Sequence, residues 1–230
     1  MTILSAKEIY KSFLDNNENL NVLENVSLEI TQGEMVAIIG PSGSGKTTLL
    51  NILGNVLIPD QGEIYIDGNA TSQLKDKERC HLRNEYFGYI VQDFALLDDE
   101  SVLENIMLPT LYHNKKIASS IYKERIDVMA EELQIVHKLK TKVKKLSGGE
   151  RQRVAIIRSQ ICNQQIILAD EPTGALDQEN TNIVMKFFQR LSSQEKKSII
   201  IVTHDLNVAR KCNRVYQLKY GVLTLNNTLT

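Results

Sequence analysis

Residues 40–48 form a glycine-rich loop of the kind that binds phosphate. Its glycines let the backbone turn tightly and aim N–H groups at phosphate oxygens, and the helix predicted to follow adds its positive N-terminal end. Lys46 supplies a cation for the β- and γ-phosphates, so we count it among the catalytic residues, and the Thr47 hydroxyl can ligate Mg²⁺. A merely flexible Gly/Ser turn is the weaker alternative, because the whole pattern follows an apolar strand. The predicted nucleotide-binding residues of the loop are Gly40, Pro41, Ser42, Gly43, Ser44, Gly45, Lys46, Thr47 and Thr48.

A pair of acidic residues ends a second apolar strand. Asp170 closes this strand, so its carboxylate can orient the Mg²⁺ shell, and Glu171 beside it is placed to activate an attacking water as general base. The pair could instead cap the next helix, since Pro172 follows. The phosphate-binding loop elsewhere in the chain favours the catalytic interpretation.

His204 and Gln92 also follow apolar runs. A lone histidine is more often a core or surface residue, but His204 follows an apolar strand and precedes Asp205. At that position it could contact the γ-phosphate and hold Glu171 and the water in line. Gln92, which on its own carries no interpretation, can bind Mg²⁺ or the water through its amide oxygen.

A second candidate anion site lies at Ser147, Gly148 and Gly149, just before an arginine-rich helix. The serine hydroxyl and the N–H groups resemble a phosphate-binding helix start. Ser147 with Glu150 three residues later also has the form of a capping box. The two interpretations are compatible, because a capped helix end can still face a phosphate supplied by another subunit.

The elements that must position these residues alternate between strands and helices. Apolar runs predict strands at residues 22–30, 35–39, 166–169 and 198–202, and a helix over residues 46–53. In an open parallel α/β sheet ligands lie beyond the carboxyl ends of the strands, where the polar residues stand here. Residues 117–133 and 149–160 have helical patterning, so we expect a helical lobe inserted over about residues 92–160.

Composition limits the classes of function. The 230 residues carry a net charge of −1, which gives no basic surface for nucleic acid and no polybasic membrane tether. The cysteines, Cys80, Cys162 and Cys212, lack metal-ligand spacing and indicate a reducing compartment. No apolar run approaches the roughly 20 residues that span a bilayer. We therefore expect membrane contact only through a partner.

Taken together, the sequence resembles the ATP-binding cassette (ABC) ATPases over about residues 7–225. The resemblance is carried by an ordered set of motifs: the loop at residues 40–48, Gln92, residues 146–150, Asp170 with Glu171, residues 174–177, and His204. It implies an α/β fold of the P-loop NTPase class, in which a RecA-like α/β core carries an antiparallel β subdomain and the inserted helical lobe. A single ABC ATPase domain would then cover residues 1–230.

The resemblance also implies partners and further site residues. Family members bind ATP and Mg²⁺ and work as head-to-tail pairs, so Ser147 and Gly149 of one copy would close on ATP held by the other. Asp177 would couple the two sites across that interface. Phe13 is the candidate aromatic residue for stacking on adenine, with Tyr10 as an alternative, and core packing explains either ring nearly as well.

Within the family, the chain resembles the MacB/LolD/FtsE type in residues 91–109 and 168–177. That type pairs with a separate permease, and residues 94–109 would lie near the groove that receives the permease's coupling helix. The predicted function is an ATPase at the cytoplasmic face of the cell membrane, powering export or membrane release of a peptide, lipoprotein or drug.

The main alternative is a regulatory ATPase that signals through a membrane partner without transport, as FtsE-like members do. A soluble ABC protein of DNA repair or translation is disfavoured by the single cassette and near-neutral charge, and a small-molecule P-loop kinase leaves residues 146–150 and His204 unexplained. The sequence does not identify the cargo.

Overall fold

Two β-sheets and a set of helices make up the computed structural model, which describes residues 1–15, 18–113 and 117–229. The strands are β1 Thr2–Asp15, β2 Glu18–Thr31, β3 Met35–Ile39, β4 Gln61–Ile66, β5 Asn69–Ala70, β6 Phe87–Ile90, β7 Ile166–Asp170, β8 Ser198–Thr203, β9 Arg214–Lys219 and β10 Val222–Leu225. The α-helices are α1 Lys46–Leu53, α2 Asp76–Tyr86, α3 Val102–Met107, α4 Ser119–Glu132, α5 Gly148–Gln160, α6 Gln178–Glu195 and α7 Leu206–Ala209. Short 3₁₀ turns cover Leu108–Tyr112, Val136–Lys138 and Val143–Lys145.

The larger sheet has six strands in the order β10-β9-β3-β8-β7-β6. Strands β3, β6, β7, β8 and β9 run parallel, and β10 pairs antiparallel with β9 at one edge. The sequence segments that precede the predicted polar residues are therefore β3, β8, β7 and β6, which are consecutive neighbours. This order brings their carboxyl ends to one side of the sheet, as the sequence predicted.

The smaller sheet is antiparallel and has the order β2-β1-β4-β5. Its strand β2 is longer at both ends than the strand predicted over residues 22–30. Strand β1 is irregular, with breaks in its register to β2 near Ile9 and a left-handed residue at Glu8, where φ is 51°.

The central strands β3, β7 and β8 of the larger sheet are buried on both faces, which explains their unbroken apolar runs. In β8, Ile199 and Ile201 pack in the core that also holds the apolar residues of α3 to α6. Ile200 and Val202 point to the other face and share a core with α1 and the smaller sheet. Helix α1 is thus held firmly, which fixes the loop that precedes it.

Helices α3, α4 and α5 lie in sequence between β6 and β7, where the helical insertion was expected. Helix α5 also packs on the larger sheet, since a Cβ added to Gly88 of β6 would lie 2.2 Å from the Ser159 carbonyl oxygen. Over the described ranges, no helix combines the length and the apolar content that a bilayer crossing requires.

Candidate functional site

A cleft of about 700 Å³ lies at the carboxyl ends of the neighbouring parallel strands. It collects side chains that are far apart in sequence. Its lining residues are Phe13, Val22, Ser42, Gly43, Gly45, Lys46, Thr47, Thr48, Gln92, Gln152, Asp170, Glu171, Gly174, Ala175 and His204. Each predicted catalytic or metal-binding side chain is therefore in one cleft.

The loop between β3 and α1 has the geometry that the glycines predicted. Gly43 and Gly45 have φ of 77° and 94°, a region that disfavours residues with a Cβ. A Cβ on Gly43 would meet no atom within 4 Å, so the loop is open to the cleft at that point. The Lys46 amine donates hydrogen bonds to the carbonyls of Gly40 and Pro41 at 2.9 and 2.8 Å, which holds the cation over the loop.

Three residues of the loop do not line the cleft. Gly40, Pro41 and Ser44 are not among the lining residues of the cleft. A Cβ on Gly40 would lie 2.7 Å from Ser44 Oγ and 2.3 Å from a backbone oxygen of β9, so this position requires glycine for close packing. These residues contribute to the shape of the loop without lining the cleft.

A second group consists of Thr47 and Asp170, which come from α1 and β7. The Thr47 hydroxyl donates a hydrogen bond to Asp170 Oδ2 at 2.7 Å. Burial raises the pKa of Asp170 above its ordinary value, against the lowering effect of the Thr47 hydrogen bond. Gln92 lines the same cleft and, with Thr47 and Asp170, also lines a smaller adjoining pocket.

These oxygen donors fit Mg²⁺. Magnesium prefers oxygen ligands, and in nucleotide sites it is usually held by one or two protein groups together with phosphates and waters. Within the described residues, no cluster of three or more His, Cys, Asp or Glu side chains has the arrangement of a metal site made by the protein alone. A hydroxyl and a carboxylate 2.7 Å apart, beside an amide, suit the shared type of site.

The third group centres on Glu171, which follows β7. Its Oε1 accepts a hydrogen bond from the His204 backbone N–H at 3.1 Å and lies 2.7 Å from His204 Nδ1. Its Oε2 accepts from the Thr203 hydroxyl at 3.1 Å. The Glu171 backbone has φ of 48°, a conformation uncommon for a residue with a Cβ, and its N–H donates to the Val202 carbonyl. Strand β8 therefore fixes the direction of this carboxylate.

Ser147, Gly148, Gly149 and Asp177 do not line the cleft of their own chain. Ser147 is exposed and caps α5, because its backbone N–H donates to Glu150 Oε2 at 2.8 Å and its hydroxyl accepts from the Glu150 N–H at 3.3 Å. The predicted capping box is thus present. Asp177 is exposed at the start of α6 and accepts from the Asn180 N–H at 2.8 Å, which lowers the pKa of Asp177.

The two candidate aromatic residues take different positions. Phe13 lines the cleft and is 41% exposed, and the Lys11 amine lies 5.4 Å from its ring centroid. Tyr10 is not among the lining residues, and its backbone carbonyl accepts a hydrogen bond from Asp60. The geometry favours Phe13 for stacking, which stays a prediction.

The segment after Gln92 is tied to the far end of α5. Arg158 donates hydrogen bonds to the carbonyls of Phe94, at 2.6 Å, and Ala95. Both acceptor residues have left-handed backbones, with φ of 64° and 45°.

The sequence alone assigned no role to several other residues near the site, among them Gln152, Thr203 and Ala175. Gln152 is buried on α5 and lines the cleft, Thr203 bonds Glu171, and Ala175 lines the cleft beside it. Thr203 directly precedes His204, so the strand end was a usable signal. A glutamine within a helix gives no comparable signal, because polar helix residues usually face solvent.

Comparison with known proteins gives a consistent picture. The family model described as "ABC transporter" matches residues 23–174. The ATP-binding protein LolD of the lipoprotein-releasing system of Saccharophagus degradans is 40% identical over 221 residues, covering 96% of each chain. The macrolide export ATP-binding/permease protein MacB of Shewanella oneidensis is 41% identical over 221 residues, which is 96% of this chain but 33% of that protein.

Solved structures agree with the fold. A dimeric structure of the ATP-binding cassette MJ0796, in a post-hydrolysis state bound to ADP and Pi, superposes with a TM-score of 0.91 at 36% identity. The match covers 97% of this chain and 98% of that one. A second dimeric structure of the same cassette gives a TM-score of 0.90 at 37% identity.

Proposed function

The chain belongs to the ABC transporter family and is an ATPase, and from this premise we propose that it hydrolyses Mg·ATP in the cleft described above, as the energy-supplying subunit of an export or membrane-release system. The observation that carries the proposal is the convergence of three groups in one cleft. These groups are the loop with Lys46, the Thr47–Asp170 pair, and Glu171 with His204.

We assign roles from this set of groups. The loop N–H groups and Lys46 bind the β- and γ-phosphates, and Phe13 stacks on adenine. Thr47, Asp170 and Gln92 hold Mg²⁺, which when bound neutralises charge on the phosphates. Burial raises the pKa of Asp170 because it disfavours the charged carboxylate, and a bound cation would favour that charged form and offset the effect.

Glu171 acts as the general base. It accepts a proton from water as the water oxygen bonds to the γ-phosphorus, while the bond from that phosphorus to the β–γ bridging oxygen breaks and ADP leaves. Thr203 and His204 hold the carboxylate in one orientation, so little reorganisation is needed at the moment of reaction. His204 extends toward the cleft with 75% of its side chain exposed, as a contact to the γ-phosphate requires.

The test of the nucleotide site is Lys46→Ala. Loss of this cation should weaken ATP binding and abolish Mg²⁺-dependent phosphate release, and a fluorescent ATP analogue measures the affinity directly. Lys186→Ala, which removes an exposed lysine of α6, is the matched control and should bind and turn over like the parent chain. Unchanged affinity in Lys46→Ala would exclude the phosphate role of this residue.

Two copies of the chain form the working unit in this proposal. Ser147, Gly148 and Asp177 are exposed outside their own cleft, so the capped start of α5 faces outward. A second copy can place this surface against the γ-phosphate of the first. ATP then favours the closed pair through its differential affinity for that state, and hydrolysis removes the γ-phosphate contacts. The dimeric state of the cassette MJ0796 supports the arrangement.

A separate transmembrane permease is the second partner that we propose. A groove of about 330 Å³ is lined mainly by apolar groups, among them Val56, Phe87, Tyr89 and Val91. Tyr89 and Val91 also line the small pocket that contains Thr47 and Asp170. A cytoplasmic segment of the permease seated in this groove would lie next to the Gln92 segment. The chain would thus be held at the cytoplasmic face of the cell membrane.

Affinity purification from native membranes in mild detergent tests this partner. We expect the tagged chain to recover a permease with few transmembrane helices and a large external domain. Val56→Asp places a charge in the apolar groove and should lose that partner while retaining ATP binding. Val136→Asp is the matched control, since Val136 is 49% and Val56 56% exposed and Val136 lies outside the groove. Recovery of ribosomal or DNA-repair proteins alone would refute the transporter assignment.

The cargo class follows from the relatives. One is named for a lipoprotein-releasing system and the other for macrolide export, and we propose that this chain likewise powers movement of a peptide, lipoprotein or drug. These names give no support to the regulatory alternative. Cargo identity depends on the permease, so the purification above also supplies the first information about it.

A further inference from the structure

The starts of α5 and α6 pack directly against each other. A Cβ added to Gly148 would lie 3.8 Å from the Ala175 Cβ, and one added to Gly149 would lie 3.1 Å from Leu176 Cδ2. The exposed residues Ser147 and Asp177, which begin the two helices, therefore belong to one continuous surface. This is the surface that the proposed second copy would meet.

The Asn180 side chain connects these two helix starts by hydrogen bonds. Asn180 Nδ2 donates to both carboxylate oxygens of Asp177, at 2.9 and 3.0 Å, in addition to the backbone cap. Asn180 Oδ1 accepts from Arg153 Nη1, which belongs to the second turn of α5. The amide thus joins the carboxylate at the start of α6 to a cation on α5.

The Asn180 amide makes both connections because it carries a donor and an acceptor. An aspartate at residue 180 would keep the acceptor for Arg153 but would place a second carboxylate against Asp177. An alanine would make neither bond. Arg153 is half-buried, and its Nε atom is buried with no hydrogen-bond partner among the described residues, so loss of Asn180 would leave this guanidinium poorly satisfied.

We propose that Asn180 is a positioning residue that fixes Asp177 relative to Ser147 and so presents the two as one preorganised surface to the second copy. The proposal rests on the ATP-driven pairing proposed above. Association must immobilise any interface group that is mobile in the free chain, and this ordering weakens binding. A network that orders Asp177 beforehand removes part of that free-energy cost.

The experiment compares ATP-driven dimerisation of variants in a Glu171→Gln background, in which hydrolysis is blocked. We expect Asn180→Ala to weaken the dimer by about tenfold, which corresponds to the loss of one or two net hydrogen bonds. ATP affinity of the single chain should stay within about twofold, because Asn180 does not line the cleft. Sedimentation velocity over a protein concentration series gives the dimer constant, and a fluorescent ATP analogue gives the affinity.

Asn182→Ala is the matched control. Asn182 lies on the same helix and also accepts from a cation, the Lys211 amine at 2.6 Å, but is not part of the network around Asp177. This variant should dimerise like the background chain. Asn180→Asp is the second test variant, which keeps the bond to Arg153 and should still weaken the dimer through repulsion of Asp177.

The possible outcomes separate the two proposals. If Asn180→Ala dimerises as tightly as Asn182→Ala, Asn180 does not position the interface. If Asn180→Ala loses ATP affinity and dimerisation together, its role is general support of the fold, and the positioning proposal fails. If the background chain itself stays monomeric in saturating Mg·ATP, the pairing proposal fails and this one with it.

Discussion

Replacement of Glu171 by glutamine separates catalysis from binding in this chain. The substitution keeps the shape of the side chain, and one oxygen still accepts from the His204 N–H, as Oε1 does at 3.1 Å. The new NH₂ group takes the place of Oε2 and can donate to the Thr203 hydroxyl, which is 3.1 Å from Oε2. The free energy of unfolding should therefore change by less than about 1 kcal/mol.

The effect on turnover should be far larger. An amide cannot take a proton from water, and general base catalysis typically contributes a factor of about 10² to 10⁴. Phosphate release should fall by that factor, while affinity for ATP stays close to that of the parent chain because Lys46 and the loop are untouched. Since the γ-phosphate persists, the closed pair should accumulate and elute as a dimer whose mass light scattering can measure.

Glu124→Gln, an exposed glutamate of α4, controls for loss of one negative charge and should behave like the parent chain. A Glu171→Gln variant that retains more than about a tenth of the parent turnover would refute the assignment of Glu171 as base. A variant that binds ATP but remains monomeric would refute the pairing proposal and leave the ATP site intact.

The pKa shifts support two further predictions. Burial raises the pKa of Asp170, so the folding stability decreases as pH rises from the pKa of this group in the unfolded chain to its pKa in the folded chain. Asp170→Asn should therefore raise the Tm of the nucleotide-free protein at pH 7.5 while abolishing Mg²⁺-dependent turnover. A lower Tm would contradict this prediction. Burial lowers the pKa of Lys197 to about 8 from 10.5, so stability should rise between these pH values by at most about 1.4 kcal/mol per pH unit. Lys197→Met should flatten this rise in urea unfolding at pH 7.5 and 9.5, and an unchanged slope would show that Lys197 is not its cause.

The sequence predicted the sheet that carries the site with good accuracy, for a physical reason. Strands β3, β7 and β8 are buried on both faces, and this burial requires the continuous apolar runs that identified them. The glycines near Lys46 were informative in the same way, since left-handed backbone at Gly43 and Gly45 excludes most other residues.

The remainder was less predictable because its signals are not local. Tyr10 and Phe13 could not be distinguished, since the register of β1 breaks near Ile9 and alternation no longer tells which face a side chain occupies. Asn180 and Gln152 are polar residues on helices, and only tertiary packing gives them partners. The apolar groove that we propose for a permease likewise depends on β6 and α1 meeting in space.

Helix α5 has one further consequence for how force passes through the molecule. Ser147 caps the N-terminal end of this helix. Arg158, eleven residues later and near the other end, donates hydrogen bonds to the Phe94 and Ala95 carbonyls. At a rise of about 1.5 Å per residue the two points are about 16 Å apart. Buried side chains such as Val154 and Ile157 pack the helix between them against the core, which restricts its bending. A displacement of the Phe94 segment would therefore be transmitted to Ser147 along helix α5, whose Gln152 lines the nucleotide cleft on the way. Movement of the membrane partner and closure of Ser147 on the nucleotide of the second copy would then both follow from one displacement of helix α5.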